Sequence, residues 1–158
     1  TVSGEPMNLM DRLREAGRLS DTTLQKNVLT LAVSTMIADG DIDRLELGFL
    51  YDLVPFSPLF AGIERREIAS IEATIVERID AVGHTAAIEE AAAALSPALR
   101  ETALCFAMRV AFVDGNADPG EIRSLETMAA FMKLSNDEFD GFARTIIALQ
   151  RGPSAQQP

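Results

Sequence analysis

The sequence predicts an all-α fold, a compact bundle of about eight helices with an internal pseudo-symmetric duplication. Three observations carry that expectation. Apolar residues recur at helical spacing along nearly the whole chain of 158 residues, and no segment reads as a convincing strand. Gly and Pro number only 10 and 7, while Ala, Leu, Glu and Ile are plentiful, a balance that favours helix. Finally, a shift of 75 residues overlays much of the chain on itself.

The elements follow in order. Residues 1–19 form an N-terminal segment whose polar start leads into a short amphipathic helix over 8–18, with Leu9 and Leu13 on one face. Asp21 is expected to cap a long second helix from Thr22 to about Ala38. That helix carries two apolar stripes, Leu24–Val28–Leu31–Ala32–Thr35 and Leu29–Val33–Met36–Ile37, so it is expected at the centre of the bundle. Gly40 ends it, and Asp43 opens a helix running to about Val54. Pro55 and Pro58 mark the next turn. Glu64 to Ala81 is a helix with Ile68, Ile71, Ile75 and Ile79 inward, and a fifth helix spans about Thr85 to Leu95. Ser96 with Pro97 at the first helical position opens a sixth, to Val113. Asp118-Pro119 opens a seventh, to about Met132, and the Ser135/Glu138 capping box opens the eighth, to about Gln150. Residues 151–158 read as a disordered tail. The domain proper is 20–150, with repeats at about 21–80 and 96–150.

Composition narrows the functions. Lys plus Arg number 14 against 24 Asp plus Glu, a formal net charge of -10. Phosphate backbones and anionic membranes are repelled by such an excess, so no nucleic-acid role is expected. The single cysteine, Cys105, forms no intramolecular disulfide, two-thiol couple or thiol metal site, and is expected as a core thiol. His84, the single histidine, is expected at the surface. No stretch has the length of a membrane span and no signal pattern opens the chain, so a cytoplasmic protein is the expectation. Met36, Met108, Met128 and Met132 fall at apolar positions as core filler.

The duplication needs no gap. Leu24/Leu99, Ala32/Ala107, Asp39/Asp114, Gly40/Gly115, Asp43/Asp118, Glu46/Glu121, Leu50/Leu125, Phe56/Phe131 and Leu59/Leu134 are identical pairs. The densest identity lies in two acidic turns, Ala38-Asp39-Gly40-Asp41-Ile42-Asp43-Arg44-Leu45-Glu46 and Val113-Asp114-Gly115-Asn116-Ala117-Asp118-Pro119-Gly120-Glu121. Helix capping accounts for part of this: Asp43 with Glu46, and Asp118 with Glu121, have capping-box spacing. Gly40 and Gly115 read as left-handed C-caps. Capping leaves Asp39 and Asp114 unexplained. A carboxylate at the negative end of a helix costs roughly 0.3–1 kcal/mol unless something positive neutralises it. A hard cation such as Ca²⁺ or Mg²⁺ would do so, with Asp41 or Asn116 adding oxygen donors; an ion pair with Arg44 or Arg123 is the alternative. An EF-hand is excluded, because its loop needs Gly at position 6 and Glu at 12.

The repeated pattern ADGDIDRLE and VDGNADPGE after a long apolar helix resembles the TerB-like tellurite-resistance family over about residues 20–150. The resemblance implies a small, all-helical, internally duplicated cytoplasmic protein associated with tellurite resistance and stress response. It implies metal ligands at Asp39, Asp43 and Glu46, and at Asp114, Asp118 and Glu121. Asn116 in place of Asp41 makes the second turn one charge poorer. A core position for Cys105 argues against tellurite reduction by this chain's own thiol.

The expected function is a non-enzymatic, metal-binding scaffold or sensor with protein partners, reaching a membrane only through them. A helical adaptor without metal is the alternative. A metal-dependent hydrolase is a further one, and would need the two turns close enough to share a dinuclear site.

Overall fold

The helices form where period and caps place them. In the computed structural model, which describes residues 8–38, 44–115, 117 and 119–156, with only the backbone over 14–20, seven α-helices appear among the described residues and no strand. They are α1 (Leu9–Met36), α2 (Arg44–Leu53), α3 (Arg65–Val82), α4 (His84–Ala94), α5 (Pro97–Ala111), α6 (Pro119–Phe131) and α7 (Asn136–Leu149). The 54–60 linker is two 3-10 turns, and Pro153–Gln156 in the tail forms a third. No described helix is long and apolar enough to cross a membrane.

One expected boundary is corrected. Asp21 caps nothing, because the helices expected over 8–18 and from Thr22 are one continuous α1 of 28 residues, about 42 Å long. Its N-cap is Asn8, whose side chain accepts from the Asp11 N–H at 2.9 Å. No proline interrupts residues 18–22. One Asp of modest propensity costs less than breaking a ladder of i→i+4 bonds. The two long helices also stop earlier than expected, at Met36 and Ala111.

Elsewhere the caps are where the residues put them. The Ser96 hydroxyl accepts from the Leu99 N–H at 3.4 Å, with Pro97 opening α5. Ser135 and Glu138 satisfy each other's amide groups at 3.2 and 2.7 Å. Gly83, at φ +86°, takes the backbone from α3 into α4 through a region closed to most side chains.

The central helices α1 and α5 pack chiefly on each other, and α3 and α4 close over α1. Every residue from Val28 to Met36 is buried, as a central helix requires. Met108, Met128 and Met132 join the same core. Phe60 enters it from the linker and meets Phe106 edge-on, centroids 5.9 Å apart. Gln25 Nε2 donates to the Leu59 carbonyl at 3.0 Å and ties the linker to α1. Arg78 grips Glu90 through two bonds of 2.9 and 2.6 Å, joining α3 to α4. Arg100 Nε donates to the Ala92 carbonyl at 2.8 Å, near the C-terminal end of α4.

Candidate functional site

The acidic turns lie between α1 and α2 and between α5 and α6. Because α2 starts at Arg44 and α6 at Pro119, Glu46 and Glu121 both occupy first turns. Free amides and the positive helix end favour a carboxylate there. Both side chains are half-buried. Asp114 is exposed, just after α5. Next to it, Gly115 has φ +88° and bonds its N–H to the Phe112 carbonyl at 2.9 Å, the left-handed turn expected of that glycine. Its cap differs in place, since Phe112 rather than Gly115 is the residue at the helix end. Asp39, Asp41, Asp43, Asn116 and Asp118 lie outside the described residues, as does Gly40. Glu46, Asp114 and Glu121 are therefore the predicted oxygen donors whose positions are described. Among described residues, no three His, Cys, Asp or Glu side chains gather as a metal cluster.

Beside the first turn the structure builds a cleft that sequence reasoning missed. Ser34 and Ala38 of the α1 end, His84, Thr85 and Ile88 of α4, and Ser124, Thr127, Met128 and Phe131 of α6 line a space of about 190 Å³. Ser34, 2% exposed, shares a 2.8 Å hydrogen bond with His84 Nδ1. His84 is thus half-buried and engaged, not the surface residue expected. The other polar groups of the buried run look inward to their own helix: Thr30 donates to the Lys26 carbonyl at 2.8 Å and Thr35 to that of Leu31 at 2.9 Å. A serine at a buried helical position needs a partner. The one histidine of the chain, fifty positions on, supplies it. Ser34 sits mid-helix among buried residues, so the pair reads as a tie between α1 and α4 rather than a nucleophile and its base.

Cys105 is half-buried, less sheltered than expected. Burial first, and Glu101 second, push its thiol above the ordinary range, so little thiolate forms near neutrality. Arg109 lies one turn further along α5, its guanidinium 5.3 Å from the ring centre of Phe49 on α2. Its Nε is buried with no acceptor among the described residues. Arg65, the first residue of α3, stacks on Tyr51 at 5.2 Å and reaches Asp52 at 3.5 Å while staying exposed.

A small all-α domain with a central helix pair and two acidic interhelical turns is therefore the class of protein that fold and sequence together define. The sequence model of the Tellurite resistance protein TerB family matches residues 25–144. The chain belongs to that family. A search of curated proteins and one of solved structures found no match.

Proposed function

We propose that this TerB-family domain is a non-enzymatic, cation-responsive scaffold or sensor of a cytoplasmic stress response, working through protein partners. The observation that carries the reading is the acidic turn occurring twice, 75 residues apart, inside the matched region. Each turn follows one of the two central helices, so charge neutralised there acts directly on the ends of the core. Asp39, Asp41, Asp43 and Glu46 would hold a cation in the first turn, and Asp114, Asn116, Asp118 and Glu121 in the second. Ca²⁺ and Mg²⁺ suit such all-oxygen sets. The two turns also reflect a duplication, in which α1, α2 and α3 correspond to α5, α6 and α7.

Thermal melts in millimolar Ca²⁺ or Mg²⁺ and in chelator test the reading. A cation that prefers the folded state raises the melting temperature by mass action. Asp39→Asn should remove most of the gain while harming the metal-free protein little, and Asp114→Asn should remove less. Identical melts of the parent in all conditions would leave capping as the role of the turns and give first place to an adaptor without metal.

A further inference from the structure

Helices α6 and α7 both pack on α5, and a groove of about 460 Å³ opens between them. The turn that joins them closes one end. Lys133 takes φ +59°, and the Leu134 N–H returns to the Ala129 carbonyl at 3.0 Å, a helix ending that leads the chain into α7. The floor of the groove is apolar: Ala129 is buried, and Leu134 and Phe139 are half-buried against the core. The rim is acidic. Glu126 stands on the α6 side and Asp140 on the α7 side, both exposed. No Lys or Arg is among the described residues that line it. An apolar floor between two carboxylates suits a helix whose apolar face is flanked by a cation.

The chain itself carries a segment of that kind. Leu9, Met10 and Leu13, at the start of α1, are 70%, 58% and 58% exposed. At 3.6 residues per turn Leu9 and Leu13 share one face, with Arg12 on its flank and Asp11 on the far side. Arg12 is exposed as well. Residues 8–20 carry three arginines against two carboxylates, whereas the whole chain carries a net charge of -10. This arm does not enter its own chain's groove, because α1 runs unbroken from Leu9 to Met36 and the apolar start faces solvent.

We infer that the start of α1 docks into the α6/α7 groove of a second copy of this chain. Leu9 and Leu13 then cover the Leu134 and Phe139 floor, and Arg12 faces the Glu126 and Asp140 carboxylates. The bodies as a whole are acidic and repel each other, so opposite charges at the contact decide which surfaces meet. Exposed apolar side chains clustered as they are on the arm mark contact surfaces. The contact is heterologous, arm to groove, so each copy offers one half and accepts the other. It involves neither acidic turn, so association in chelator is expected whether or not the cation reading holds.

The test uses the full chain in chelator. Light scattering after size exclusion should show the parent associating as concentration rises. Arg12→Glu reverses the arm, and Glu126→Arg with Asp140→Arg reverses the rim; each should weaken association by roughly tenfold or more through like-charge contact. The rim variant is less acidic than the parent, so its loss of association is not due to added repulsion between bodies. All three positions are exposed, so melts should match the parent and show that folding is intact. Mixed in equal amounts, the arm and rim variants should associate again, because every contact between them pairs opposite charges. Leu13→Trp gives this Trp-free chain a single reporter, whose emission should shift to the blue on association and stay unshifted when the rim is reversed. A parent that stays monomeric to its solubility limit overturns the inference. So does undiminished association of the rim variant, which would mean that the arms pair with each other, and so does failure of the mixed variants to associate.

Discussion

Ser34 and His84 show how one polar pair can decide the seating of a helix. Removing the imidazole leaves a buried hydroxyl facing a gap, at a cost of roughly 1–3 kcal/mol. His84→Ala should therefore destabilise by about that amount. Adding Ser34→Ala should return part of the loss, and a double-mutant cycle by denaturant titration measures the coupling. Additive losses would show that the 2.8 Å bond contributes nothing net. Tyr51 offers a second test at this scale. It is the single tyrosine, and the chain has no Trp, so phenolate absorbance reports it alone. Burial, then its 3.0 Å hydrogen bond to Glu72 and that carboxylate's charge, push its pKa up to about 12. Its folded value lies above the unfolded one, so its contribution to stability is complete below about pH 10 and is lost as pH rises toward 12. Glu72→Ala should bring the absorbance midpoint down; an unchanged midpoint would assign the whole shift to burial.

At the scale of the element, the capping box of α7 is the clearest case of a helix start written into residues. The Ser135 N–H donates to Glu138 at 2.7 Å and holds that carboxyl below the usual glutamate range. A depressed folded pKa contributes stability above the ordinary glutamate value, and that contribution fades as pH falls through the folded value. Ser135→Ala should lower stability by about 0.5–2 kcal/mol at neutral pH. Glu138→Gln should flatten the acid limb of the stability profile, as read by melts between pH 3 and 6, roughly the carboxylate range. An acid limb as steep as the parent's would place the acid sensitivity at other carboxylates. The same local logic fails at Asp21. A good cap residue is also an acceptable interior one, and the choice depends on whether the backbone must turn there. It does not, and α1 runs through.

For the whole molecule, surface charge is a lever on stability that salt can test. A net charge of -10 on one small domain opposes its own compaction. Monovalent salt should therefore raise the melting temperature gradually, since the Debye length shrinks to about 8 Å at physiological ionic strength. Ca²⁺ or Mg²⁺ at matched ionic strength should raise it further if the acidic turns bind them. Equal shifts from both salts would reduce the divalent effect to screening.

The sequence by itself determined the all-α class, the two central helices, the caps at Ser96 and Ser135, the methionine core and the family. These depend on interactions spanning three or four residues, or on a stripe that must be buried somewhere, and both are visible in one dimension. Tertiary structure alone decided which helix covers which stripe. Ser34 meets an imidazole fifty residues away, while Cys105 and Arg109, 75 positions after Thr30 and Ser34 in the sequence, are only half-buried. Phe56 and Phe131 are identical residues 75 positions apart, yet one is 89% exposed and the other lines a cleft between α1, α4 and α6. Burial is a property of the neighbour as much as of the residue, and the neighbour is chosen only when the chain folds back on itself.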